Sequence, residues 1–124
     1  MKIQVSIGEL VDKVAILSIK VKKITTSQKL IHVQKELDFL QKAMESIEID
    51  PDSTEVNALM RVNLKLWDLE NAIRLKEKKV QFDDEFIRLA RAIYRFNDER
   101  TMLKRKISLK YHSELIEEKE YEPS

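Results

Sequence analysis

A single glycine, Gly8, is present in the 124-residue chain, and this scarcity constrains the fold more than any other feature. Glycine readily adopts the left-handed backbone that tight hairpin turns require, so a meander of short strands would lack its usual turns. A glycine-rich phosphate loop is excluded for the same reason. The chain has no cysteine, which excludes disulfides and thiolate zinc sites. Hydrophobic residues make up 43% of the chain, enough for a buried core.

Apolar side chains recur at three- and four-residue spacing in four segments, which predicts four amphipathic helices. The breaks between them are short, and short breaks favour antiparallel neighbours. The predicted fold is therefore all-α, either a four-helix up-down bundle or a pair of helical hairpins. We expect one helical domain over residues 1–124, with an irregular tail at 111–124 and helices at about 7–24, 27–47, 53–79 and 84–110.

Capping residues mark the predicted helix starts. Ser6 followed by Glu9 forms a capping box, because the Ser6 hydroxyl can accept a hydrogen bond from the Glu9 amide. Asp52 followed by Glu55 is a second cap signature before the third helix. Asp83 precedes two acidic residues, which suit the positive end of a helix dipole.

Two rows of polar side chains interrupt the apolar faces of the third and fourth helices. Arg100 occupies a seam that is otherwise apolar, where a guanidinium must reach solvent, pair with a carboxylate or bind an anion. If the two rows face each other, they enclose a polar pocket beside the only Trp, which suits an anionic or polar small ligand. The alternative is a buried ion-pair network that fixes helix register. The candidate residues are Asn63, Trp67, Glu70, Arg74, Arg91, Tyr94, Asn97, Asp98 and Arg100.

Motifs for catalysis or metal binding are weak. The two histidines belong to no metal-ligand spacing. Glu9 with Asp12, and Glu114 with Glu117, have a carboxylate spacing found in some helical magnesium enzymes, but Glu9 is better explained as a cap. Serine and threonine lack a His/Asp partner set, so nucleophilic hydrolysis has no support. We predict no catalytic residue, no metal and no cofactor.

The net charge of +1 conceals a local asymmetry. Residues 86–110 carry eight basic and two acidic side chains, whereas residues 113–124 carry five acidic and one basic. The basic helix could contact nucleic-acid phosphates. The acidic tail is a simpler partner, either by folding back or by contacting a neighbouring subunit. Only Tyr94 in the basic stretch could face outward to stack on bases, so nucleic-acid binding is not favoured.

Four motifs are spread over nearly the whole length of the chain, at residues 2–13, 63–77, 86–100 and 113–121. They read KI-x-VSIGELVDK, N-x-x-LWD-x-E-x-x-IR-x-x-E, FI-x-LAR-x-x-Y-x-x-ND-x-R and SEL-x-EEK-x-Y. These motifs resemble a family of small bacterial and phage-borne all-helical proteins of unknown function. The resemblance implies a helical domain that stands alone, and it implies no activity.

The same resemblance implies that the tail belongs to the domain. Lys119 and Tyr121 could then dock, with a short β pairing between residues 3–5 and the tail. A looser similarity to helical chorismate mutases rests on Asp12, Lys13 and Lys20, a pattern that any amphipathic helix can show.

The predicted function is that of a cytoplasmic binding or oligomeric scaffold protein without membrane contact. No signal peptide and no membrane-spanning run is visible. A homodimer is expected, because one pair of hairpins would leave Ile16, Ile19 and Met60 uncovered. The alternatives are an anion-binding protein or small enzyme with the polar pocket, and a nucleic-acid backbone binder using the fourth helix.

Overall fold

The computed structural model describes residues 6–111, and within that range the chain forms four α-helices and no strand. The all-α, four-helix prediction is confirmed. Each helix begins and ends within one residue of its predicted position. The suggested β pairing of residues 3–5 with the tail, and the acidic tail itself, lie outside the described residues. The helices are α1 (Ile7–Lys23), α2 (Ser27–Ser46), α3 (Thr54–Lys78) and α4 (Asp84–Lys110).

Side-chain caps start three of the helices. The side chains of Ser6 and Asp83 each accept a hydrogen bond from the backbone amide three residues later, at 3.1 and 3.0 Å, as predicted. The expected cap of α3 at Asp52 is wrong by one residue, because Ser53 performs that role. The Asp52 amide instead donates to the Asp50 carboxylate at 2.9 Å, in the turn that precedes the helix.

The helices alternate in direction, and α1 is the common neighbour. It packs against α2, α3 and α4, whereas α3 and α4 form a long hairpin with each other. The main contact of α2 is with α1. Since α1 runs antiparallel to α4, its beginning lies beside the end of α4. The N-terminal region of α1 therefore meets residues that are about 100 positions away in sequence.

The buried core is confined to one end of the α3–α4 hairpin, which we call the base. It contains α1, α2, residues 54–66 of α3 and residues 100–110 of α4. Leu59, Ile107 and Val11 are its most completely enclosed large side chains. The rest of the hairpin, residues 67–99, has no buried residue, and we call it the arm.

Gly8 lies where α1 approaches α4 most closely. Its amide donates to the Ser108 hydroxyl at 2.8 Å. A Cβ atom at this position would lie far inside van der Waals contact of the Lys104 carbonyl oxygen. The only glycine of the chain therefore serves close helix packing and not a turn.

The three apolar residues of α1 and α3 that motivated the homodimer are buried or half-buried within one chain. Ile19 is only 4% exposed, and Ile16 and Met60 are half-buried. One large exposed apolar side chain, Leu64, lies beside Ile19 and Met60, and four others lie on α4. Among the described residues, no helix combines the length and apolar character needed to cross a membrane.

A buried carboxylate and a charged cavity between α1 and the α3–α4 hairpin

The polar centre of the base is the carboxylate of Asp12 on α1, which is 3% exposed. Arg100 of α4 binds it with two hydrogen bonds, Nε to Oδ1 at 2.9 Å and Nη2 to Oδ2 at 2.5 Å. Asn63 of α3 donates from Nδ2 to the same Oδ1 at 2.9 Å. Three helices thus meet at one carboxylate, and a planar guanidinium suits this two-point geometry.

The charge of Asp12 is stabilised by its partners. Burial by itself would raise the pKa of Asp12, but hydrogen bonds from Arg100 and Asn63 and the positive charges of Arg100 and Lys104 outweigh it. The net result is a pKa below the ordinary range of an aspartate. The hydrogen bonds that Arg100 donates to Asp12 in turn raise the pKa of Arg100. The pair is therefore fully ionised at neutral pH.

Lys104 extends this network toward the surface. Its ammonium group lies 2.7 Å from a carboxylate oxygen of Glu9 and 4.0 Å from Oδ2 of Asp12. Glu9 thus contributes its amide to the Ser6 cap and its side chain to an ion pair with α4. The Asp12–Arg100–Asn63 cluster is a buried ion-pair network, the kind of arrangement that the sequence left open as one alternative, here with Asp12 of α1 as the acidic partner.

A cavity of about 380 Å³ adjoins this cluster at the point where the base meets the arm. Its apolar walls come from Ile16 and Ile19 of α1 and from Leu66 and Trp67 of α3. The polar part of its lining includes Asn63 and Arg100, so the buried cluster forms one side of the cavity. The remaining charged lining residues are Lys20, Glu70 and Arg74.

The cations around the cavity differ in how well they are paired. Within the described residues Arg74 pairs only with Glu70, at 3.9 Å between nitrogen and oxygen, and the Arg74 side chain is largely exposed. Lys20 forms no ion pair within residues 6–111. Arg100 uses only Nε and Nη2 toward Asp12, so its Nη1 has no hydrogen-bond partner in the described part of the chain.

The structure divides the nine candidate residues into groups. One group shares the cavity, namely Asn63, Trp67, Glu70, Arg74 and Arg100. Arg91 and Tyr94 lie on the opposite, outer side of α4, in a shallow depression with Ala90 and Arg95. Asn97 is half-buried and accepts a hydrogen bond at its carbonyl from Thr101, and Asp98 is exposed.

The expected pocket between the rows of α3 and α4 is therefore replaced by one that α1 completes. Asp12, Lys20, Ile16 and Ile19 were absent from the candidate set. The signal for Asp12 was present in the sequence, since it lies between Val11 and Val14 on a helix with a wide apolar surface. In the sequence, Ile16 and Ile19 stand out only as apolar residues that one pair of hairpins would leave uncovered, and Lys20 only through the looser similarity to chorismate mutases. Within the described range, no group of three or more His, Asp or Glu side chains is placed to hold a metal ion.

A family model matches residues 1–124, and the chain belongs to that family, which is described as a family of unknown function (DUF6165). Neither the curated proteins nor the solved structures contain a significant match to the chain.

Proposed function

We propose that this family member binds a small organic anion in the cavity between α1 and the α3–α4 hairpin. The observation that carries the proposal is the convergence of three incompletely paired cationic groups on one cavity. They are the ammonium of Lys20, the guanidinium of Arg74 and the free Nη1 of Arg100. One acidic lining residue, Glu70, opposes them, so the cavity has an excess of positive charge.

The walls of the cavity indicate that the ligand also has an apolar part. Trp67, Leu66, Ile16 and Ile19 supply aromatic and aliphatic surface beside the cations. Small-molecule sites commonly combine such walls with a few charged groups that fix orientation, and a volume of about 380 Å³ is within their usual range. A carboxylate or phosphate attached to a small ring has both properties.

The Asp12 cluster supports binding by holding Arg100 in place before the ligand arrives. A guanidinium fixed by two hydrogen bonds loses little further side-chain entropy when it contacts an anion. Asp12 also lowers the net charge that Arg100 presents. Lys20 and Arg74, which are less completely paired, therefore supply most of the uncompensated attraction for an anion.

The groove between α1 and α2 is a weaker candidate although it is larger, at about 660 Å³. Its lining carries three acidic side chains, Glu9, Asp12 and Glu36, against two basic ones, Lys13 and Lys20. Lys13 lies 3.0 Å from Glu36 across the groove, and an anion bound there would face this excess of negative charge. An oligomeric scaffold is also less well supported, because Ile19 is covered within one chain.

Trp67 provides a direct test because it is the only Trp of the chain. We would titrate the protein with inorganic phosphate, benzoate, phenyl phosphate and adenosine monophosphate, and follow Trp67 emission under excitation selective for Trp. We expect a saturable change with the ring-bearing anions and weaker binding of phosphate alone. Calorimetry with the same four probes would detect a ligand that leaves the emission unchanged.

Charge removal identifies the site. Lys20→Ala and Arg74→Ala should each weaken the affinity by about tenfold, the effect of losing one charge-assisted contact in a partly exposed site. Arg91→Ala is the matched control, because it removes an arginine from the outer side of α4. No binding by either method contradicts the proposal, and so does an unchanged affinity in the Lys20→Ala/Arg74→Ala double variant.

A further inference from the structure

The outer side of α4 carries a second apolar row, opposite the side that packs against α3. Ile87, Tyr94, Met102 and Leu109 are seven, eight and seven residues apart, so they share one face of the helix. Each is between 53% and 69% exposed. We call this row the outer stripe. A repeat of this kind is typical of a helix face that packs against another segment.

The surroundings of the outer stripe are basic. Arg91 and Arg105 lie within the stripe, and three further basic residues flank it, namely Arg88, Arg95 and Lys106. Only two acidic residues, Asp98 and Glu99, lie among these five basic ones. Among residues 6–111, Arg88, Arg91, Arg95 and Arg105 form no ion pair. The stripe therefore offers both apolar contact and unmatched positive charge, which together favour an acidic, apolar segment as its occupant.

A second copy of the same stripe is a poor occupant on electrostatic grounds. Antiparallel pairing of two copies about Asp98 would place Arg91 near Arg105 of the other copy and Asp98 near its equivalent. Like charges held opposite one another are destabilising, and the excess positive charge would be doubled.

We propose that the chain's own C-terminal segment, residues 112–124, lies along the outer stripe of α4. This segment carries five Glu and one Lys, which matches the charge of the stripe with opposite sign. It also contains the apolar residues Leu115, Ile116 and Tyr121. It follows directly after Tyr111, at the end of α4 where Leu109 begins the stripe.

Length and attachment allow this arrangement. From Leu109 to Tyr94 the helix rises about 23 Å, and 13 residues in extended form span about 43 Å. The segment therefore reaches most of the stripe after reversing direction. Attachment to the same chain gives it an effective concentration in the millimolar range, so even a weak contact is occupied.

The test uses the absence of native cysteine. Thr101 is exposed beside the stripe, between Tyr94 and Met102, so Thr101→Cys provides a unique thiol in the full-length chain. We would measure its alkylation by a neutral maleimide. The rate should rise several-fold when Glu117, Glu118 and Glu120 are changed to Lys, because the segment then leaves the stripe. In the control, the single cysteine is Gln41→Cys on α2 instead of Thr101→Cys. Its alkylation rate should not change when the same three glutamates are changed to Lys.

A second variant separates the contribution of apolar contact from that of charge attraction between the segment and the stripe. Leu115→Ala/Ile116→Ala leaves every charge in place and should also raise the Thr101→Cys alkylation rate several-fold. Light scattering would give the mass of each protein, and thermal unfolding would confirm that it is folded. An unchanged rate in both variants overturns the proposal. A protected thiol in a protein of dimeric mass, with protection lost on dilution, also overturns it by assigning the stripe to a neighbouring copy.

Discussion

The base and the arm of the α3–α4 hairpin share one sequence pattern but differ in burial. Apolar residues continue along α4 at the same spacing from Phe86 to Ile107. In the base Leu103 and Ile107 are buried, whereas Phe86, Leu89 and Ile93 in the arm are half-buried at most. The difference comes from α1, which packs along the base and reaches the arm at the cavity, beside Trp67, Glu70 and Arg74.

This comparison shows that amphipathic periodicity predicts which side of a helix faces a neighbour but not how many neighbours it has. Two helices bury a narrow seam, and a third is needed to enclose a side chain fully. The buried polar cluster follows the same division, because Asp12, Asn63 and Arg100 are held where three helices meet.

The largest expected difference is between two isoleucines of α4. Ile107→Ala removes a completely enclosed side chain of the base and should lower the free energy of unfolding by about 3–4 kcal/mol. Ile93→Ala removes the same atoms from the arm, where the side chain is only partly buried against the core, and should lower it by about 1 kcal/mol. Urea unfolding of both variants measures the difference. Equal losses would mean that the arm is packed as tightly as the base.

The sequence predicted the helices well because their signals are local. Spacing, caps and short breaks all act within a few residues, as at Ser6 and Asp83. The partner of Arg100 could not be predicted in the same way, since Asp12 is 88 residues away. The structure places Arg91 and Tyr94 on the outer side of α4, apart from the cavity. Spacing along α4 locates them beside its apolar seam, but it does not say how far around α4 the neighbouring helices reach.

Gly8 tests the close contact that builds the base. Gly8→Ala adds a Cβ that collides with the Lys104 carbonyl, so α1 must move away from α4. We expect a loss of about 2–3 kcal/mol, because overpacking outweighs the roughly 1 kcal/mol gained in helix propensity. Ser108→Ala, which removes only the hydrogen bond to the Gly8 amide, should cost about 1 kcal/mol. A stabilised Gly8→Ala protein would contradict this packing.

Substitution of Asp12 tests whether the buried ion-pair cluster stabilises the packing of α1 against α3 and α4. Asp12→Asn should lower the free energy of unfolding at neutral pH by about 2 kcal/mol, since Arg100 loses its charged partner but can still reach water. In the wild type the folded pKa of Asp12 lies below its unfolded value. The stabilisation is therefore complete above about pH 4 and is lost as the pH falls through the lower, folded pKa.

The loss of unfolding free energy caused by Asp12→Asn should therefore be smaller at about pH 3 than at neutral pH. Other carboxylates with lowered pKa values, such as Glu55 and Asp83, leave their own pH dependence in both proteins. Taking the difference between the unfolding free energies of wild type and variant cancels the pH dependence that the two proteins share. A cost that is the same at both pH values would show that Asp12 acts through packing alone.

The smallest effect on global stability, and the finest test of the comparison, is local opening of the arm. Backbone amides of α3 and α4 in the arm should exchange with solvent faster than amides at residues 59–66, because fewer buried contacts must break to expose them. Leu89→Ala should speed exchange in the arm further and leave the rates at 59–66 unchanged. Hydrogen exchange followed residue by residue measures both. If the rates at 59–66 rose together with those of the arm, the hairpin would open as one unit, and the division into base and arm would not describe its dynamics.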